Sequence, residues 1–145
     1  MKKYSFYGWE TADIKDENGL DPRDHYDILM TCWCRETCAP RIRDEWNEDN
    51  RTAGQCSITA FLIQDIFGGR VFGIPRGNGN FHCFNVVGDR IFDLTSEQFG
   101  DTVLDYESCT EQFREKHFSK EEKRLRYELL KGLHRERVRE RLRDM

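Results

Sequence analysis

No part of this sequence stays apolar for more than a few residues, which excludes a membrane-spanning helix of roughly 20 apolar residues in succession. The basic start Met1-Lys2-Lys3 leads into no apolar segment of the kind an export leader carries, so a cytoplasmic setting is expected. Internal repeats and low-complexity tracts are missing as well. There is no zinc-finger pattern, no RNP-type motif and no strip of interleaved aromatic and basic residues, so nucleic acid is not the expected partner. Six cysteines (Cys32, Cys34, Cys38, Cys56, Cys83 and Cys109) would form three disulfides outside the cell. In a reducing compartment they are instead free, metal-bound or catalytic.

What is present suits one folded unit. A chain of 145 residues can bury one continuous core, so residues 1–145 are expected to form a single domain. Apolar residues make up 37% and charged residues 34%, a polar balance, but the apolar ones concentrate between Cys56 and Leu94 and so argue against disorder. The net charge of -4 is uneven. Residues 1–113 hold 11 Lys and Arg against 20 Asp and Glu, whereas residues 114–143 hold 12 against 6. A basic C-terminal helix over residues 119–143, lying on or extending from an acidic body, is the expectation.

Along the chain, the aromatic arm around Tyr4, Phe6, Tyr7 and Trp9 ends in a turn near Asp21-Pro22. A helix is predicted from Pro22 to about Cys38, with Tyr26, Leu29, Met30 and Trp33 in one apolar stripe. Residues 41–55 are polar with Trp46 as the one large anchor, and Asn47-Glu48-Asp49-Asn50 reads as a loop approaching Gly54-Gln55-Cys56. Cys56 to Phe67 is apolar on most sides and stops at Gly68-Gly69, which predicts a buried central helix. Strands are expected at 71–74, 81–87 and 90–94, the last two joined at Gly88-Asp89. Ser119 with Glu122 has the form of a capping box, and Leu125, Leu129, Leu130 and Leu133 are expected to be the core-facing side of the final helix. The fold class is α+β, with a helix-borne cysteine packed on a small antiparallel sheet.

A thiolate is the reactive form of cysteine, and a helix N-terminus stabilises it. Cys56 has that position, with Gly54 just before it to allow close backbone approach. A two-residue loop at Gly88-Asp89 pairs Phe84 with Asp93 and His82 with Thr95, which makes His82 a diagonal neighbour of Asp93 at about 7–8 Å or less. In a Cys-His-Asp triad, Asp93 would orient His82, His82 would take the proton from Cys56, and the thiolate would attack an acyl carbon. A buried histidine bonded to a backbone carbonyl and an aspartate capping Leu94-Thr95-Ser96 are the structural alternatives. Gln55 is a candidate oxyanion donor. By alternation Asn85 falls on the opposite sheet face and is read as supporting structure, while Cys83 points away from His82 as a bystander. Cys32, Cys34 and Cys38 lack a second ligand pair at zinc spacing, and no metal or cofactor is expected. His25, His117 and His134 each read as surface residues.

Several blocks carry a resemblance: Trp33-Cys34-Arg35-Glu36-Thr37-Cys38, Gly54-Gln55-Cys56-Ser57-Ile58-Thr59-Ala60, Gln64-Asp65-Ile66-Phe67-Gly68-Gly69, His82-Cys83-Phe84-Asn85 and Asp93-Leu94-Thr95-Ser96-Glu97-Gln98-Phe99. Together they resemble the YunG-like bacterial proteins, a resemblance that implies a small cytoplasmic protein but no particular reaction. At greater distance, Cys on a helix followed by His and Asp on successive strands is similar to papain-like and transglutaminase-like cores. The expected function is a cysteine-dependent hydrolase or acyltransferase acting on an amide or thioester. The alternative is a non-catalytic interaction module whose basic C-terminal helix contacts nucleic acid or an acidic protein.

Overall fold

The computed structural model describes residues 3–145, so the Met1-Lys2 start of the basic N-terminus lies outside it. Helix α1 spans Pro22–Leu29. Asp21 and Asp24 form a reciprocal capping box at its start, and Pro22 at the first helical position adds a pre-set φ. The expected continuation to Cys38 does not form. The Thr31 hydroxyl and the Cys32 thiol both turn back to the Ile28 carbonyl, competing with the backbone for the last turn, and only a short 3-10 turn at Arg35–Thr37 follows. Residues 40–45 wind into a second 3-10 turn.

Helix α2 covers Cys56–Phe67 and ends at Gly68, as its apolar run predicts. Strands β1 (Arg70–Gly77), β2 (Asn80–Val87) and β3 (Arg90–Phe92) follow, and β4 (Thr110–Gln112) is a strand with no sequence signal. They form one antiparallel sheet in the order β3-β2-β1-β4. Gly88, with φ 62°, takes the left-handed position that a two-residue hairpin turn requires. The register is therefore Val87 opposite Arg90, Val86 opposite Ile91 and Asn85 opposite Phe92.

A short helix α3 (Arg114–His117) leads into the long α4 (Glu121–Arg143). The Ser119 capping box is absent. Its hydroxyl bonds back to the Lys116 carbonyl, closing the turn before α4, and Lys120 precedes the helix without a side-chain cap. The buried face of α4 is Arg126, Tyr127, Leu130 and His134, whereas Leu125 and Leu129 are exposed.

Helix α2 packs against β2 on one side and α4 on the other, and the core gathers Phe6, Leu29, Trp33, Ile58, Ile63 and Leu130 around it. The indole N–H of Trp33 donates to the Thr59 hydroxyl at 2.9 Å, tying the segment after α1 to α2. Asn85 donates to the Ala60 carbonyl at 2.8 Å and so fixes α2 on the sheet face that also carries Cys83. The other face, with His82 and Phe84, is covered by the 93–109 segment, where Tyr106 packs on Phe84 and stacks on Tyr7. Among the described residues no helix is long and apolar enough to cross a membrane.

Candidate active site

Cys56 opens α2 where first-turn N–H groups have no intrahelical partner. Gly54 sits at φ 68°, and a side chain there would press its Cβ to 2.5 Å from the Cys38 sulfur. The tight turn that delivers Cys56 to the sheet therefore needs a glycine.

The sulfur meets β2 at an uncovered edge. β3 ends at Phe92, opposite Asn85, while β2 reaches back to Asn80. With Val87 bonded to β3 at the hairpin, the odd-numbered residues of β2 direct their N–H and C=O groups to that same edge. At 81 and 83 they meet the thiol instead. Cys56 Sγ lies 3.8 Å from the Phe81 carbonyl oxygen, and the Cys83 N–H and thiol are the neighbouring groups that favour its ionised form.

His82 is buried beside this edge, with its ring edge-on to Phe99 at 4.7 Å. Its Nε2 donates to Asp93 Oδ2 at 2.6 Å, the contact expected from the register. Asp93 is buried and held from every side. Oδ2 also accepts from the Tyr106 hydroxyl at 2.7 Å, and Oδ1 accepts from the Thr95 N–H at 3.2 Å. With Nε2 committed, Nδ1 is buried without an acceptor of its own and is the nitrogen left for the thiol.

The electrostatics follow. The Cys83 thiol hydrogen bond, working against burial and joined by the His82 ring, holds the Cys56 thiol well below its usual range. Cys83 moves the opposite way, pushed up by its bond to Cys56 and by burial. Burial disfavours the charged His82 ring, but the Asp93 carboxylate outweighs it and, with Cys56, raises the ring to about 10. The Cys56 and His82 shifts both favour the same state, a thiolate beside an imidazolium.

Gln55, the candidate oxyanion donor, is fully buried, and its amide nitrogen donates to the Cys34 carbonyl at 3.1 Å, bracing the 3-10 turn. Asn85 lies on the sheet face away from His82 and anchors α2. Cys83 is a correction to its reading as a bystander: strand alternation turns it from His82 but toward the end of α2, where the sulfur is. Tyr106 was not identified from the sequence and has no signal there, since it lies in a segment without periodicity.

The remaining histidines also differ from their surface reading. His25 and His134 are buried together, His25 Nε2 bonded to Asp16 at 2.8 Å and Nδ1 facing His134 Nε2 at 2.9 Å. His117 is half-buried on the wall of the site. Cys34 and Cys38 are separate free thiols. Cys34 heads the 3-10 turn with Thr37, and among the described residues no three His, Cys, Asp or Glu side chains converge as a metal site.

Cys56, His82 and Cys83 all line one open cleft of about 770 Å³. Its walls come from the 40–45 turn, the β1–β2 hairpin and the start of α4.

Comparison with known proteins places these residues in a family. A family model described as YunG protein matches residues 21–142, which include the whole site. A relative from Bacillus subtilis (strain 168), named "Uncharacterized protein YunG", is 38% identical over 72 residues, covering 50% of this chain. The match spans 57% of that relative's length. No solved structure matches the chain.

Proposed function

The chain belongs to the YunG family, and we propose that this protein is a cysteine-dependent hydrolase or acyltransferase acting on an amide or thioester. The observation that carries the reading is the 2.6 Å hydrogen bond that His82 Nε2 donates to Asp93, which leaves Nδ1 for the Cys56 sulfur at the rim of an open cleft. The order of Cys on a helix, His on a strand and Asp just after the next strand is similar to that of papain-like and transglutaminase-like enzymes. That likeness concerns the order of groups, and the chemistry is argued from the groups themselves.

In this mechanism the Cys56 thiolate attacks the acyl carbon, and the carbonyl π electrons move onto oxygen, where first-turn N–H groups of α2 stabilise them. Collapse expels the amine or thiolate, which takes its proton from His82, and leaves a Cys56 thioester. Neutral His82 then removes a proton from water or another acceptor, whose attack releases the acyl group and restores the thiolate and imidazolium. Asp93 keeps the ring in the productive tautomer throughout.

The pair predicts a bell-shaped kcat/KM profile against pH. The acid limb follows protonation of Cys56, below the ordinary thiol range, and the alkaline limb follows loss of the His82 proton near 10. The first test is the rate of Cys56 alkylation against pH, with thioester hydrolysis measured in parallel. His82→Ala is expected to move the alkylation half-point up and to cut turnover by about 10²- to 10⁴-fold. A half-point at the ordinary thiol value, indifferent to His82→Ala, would remove the basis of the reading.

A further inference from the structure

The cleft above Cys56 differs in charge from the rest of the molecule. The chain carries a net charge of -4, yet Arg41, Arg76, Lys120, Lys123 and Arg126 line this cleft against Glu45 and Glu122. Glu122 is paired with Arg126 at 2.6 Å. Arg41, Lys120 and Lys123 form no ion pair among the described residues, and Arg76 lies over the Phe99 ring at 4.7 Å, also without a carboxylate. The catalytic groups offset only part of the excess: the charges of Cys56 and His82 cancel, and the Asp93 carboxylate behind His82 supplies one negative charge against the remaining positive balance.

The cations are crowded. Half-buried Lys123 is pushed down by burial first and then by the charges of Lys120 and Arg126. A surface with no anion to hold would relax by turning such side chains into water, as lysines do readily. On the same wall His117 carries a buried Nε2 without a partner. Burial keeps His117 neutral at pH 7, down to about 4, so it offers a hydrogen bond and no charge.

We infer that the substrate of this cleft carries an anionic group, a carboxylate or phosphate, near its acyl carbon, and that Lys120 and Lys123 at the start of α4 select it with Arg41 and Arg76 across the cleft. The inference rests on the proposed thiol chemistry of Cys56 and adds a substrate class to it. Low-dielectric walls focus the field of such clustered charges, raising the local concentration of anions and their capture rate.

The test uses two alkylating probes of similar size on the intact protein: iodoacetate, an anion, and iodoacetamide, which is neutral. Each displaces iodide by attack of the same thiolate, so their rate ratio cancels the thiolate fraction. At low ionic strength the ratio at Cys56 is expected to exceed that of a small-peptide thiol by about ten-fold and to shrink as salt is raised. It should fall below the peptide value in the double variant Lys120→Glu, Lys123→Glu. The milder Lys120→Gln, Lys123→Gln pair gives the same direction should the charge reversal disturb folding. Protection against iodoacetate by inorganic phosphate, compared with acetate at equal ionic strength, distinguishes the two kinds of anion. A ratio equal to that of the peptide thiol, or one indifferent to both lysine variants, overturns the inference while leaving the thiol chemistry intact. Sluggish reaction with both probes, at an ordinary thiol half-point, overturns the proposed function and this inference with it.

Discussion

Cys83 is adjacent to His82 in the chain but acts on Cys56 from the other sheet face. Its thiol and its N–H both favour the thiolate, the first as the largest single influence. Cys83→Ala is therefore expected to move the Cys56 alkylation half-point up with the fold retained, and an unmoved half-point would show that the thiol bond has no energetic weight. Tyr106 has a comparable supporting place. It donates to the Asp93 oxygen that also receives His82, inside a site where an unpaired carboxylate lone pair is costly. Tyr106→Phe is expected to cost about 1.5–3 kcal/mol of stability, the range for a hydrogen bond to a charged group, together with part of the turnover. Denaturant unfolding and steady-state rates would measure the two effects. Strand alternation read from sequence assigns Cys83 to the right face, yet it does not say that a helix end occupies that face at the level of residues 81–83. The residue pattern holds the period but not the neighbour.

At the scale of elements, α4 shows where charge and apolar pattern mislead. Of the four leucines expected to face the core, Leu130 is buried and Leu133 packs against the core, while Leu125 and Leu129 are exposed. Tyr127 and His134 complete the docking face, and the basic side chains are partly committed, Arg126 to the Thr37 carbonyl at 3.0 Å and Arg141 to Asp24 at 2.8 Å. Docking also depends on His25 and His134, which stack between α1 and α4. With His25 donating to Asp16, its Nδ1 accepts from the His134 N–H, an arrangement that suits neutral rings. Burial pushes both down, His134 from 6.5 to about 4. As the pH falls below 6.5 the unfolded chain takes up these protons before the folded chain does, His134 holding off until about 4. Their contribution is thus full above pH 6.5 and is lost across that interval. Asp16 and Asp21, both held below 3.8, add their loss only at lower pH. Thermal midpoints are expected to drop between pH 6.5 and 4 and to drop less in His134→Leu, where His117 still titrates but this ring does not. Equal slopes in the two proteins would show that His134 is not a source of the acid sensitivity.

Over the whole molecule, α2 is shared between the sheet and α4, so the site and the C-terminal helix belong to one core. Leu130 is fully buried against it, and Leu130→Ala is expected to cost about 2–5 kcal/mol. Deleting residues 119–145 should abolish cooperative unfolding altogether, read as loss of a near-ultraviolet dichroism signal and of a sharp denaturant transition. A truncated protein that melts sharply would mean α4 is an appendage, which is the arrangement an interaction module with a detachable basic helix requires.

Local chemistry alone determined much of this: Gly68-Gly69 ends α2 with Cys56 at its head, and the two residues of the Gly88-Asp89 turn set a register that brings His82 to Asp93. Such features depend on backbone geometry a few residues apart, and a strand's period of two carries them along the hairpin. Tertiary structure alone decided that the Cys56 sulfur meets the bare edge of β2, that Cys83 and Tyr106 serve the site, that Gln55 turns inward and that His25 finds His134. Those outcomes join segments up to 109 residues apart, and packing among such distant surfaces leaves no periodic trace in the chain.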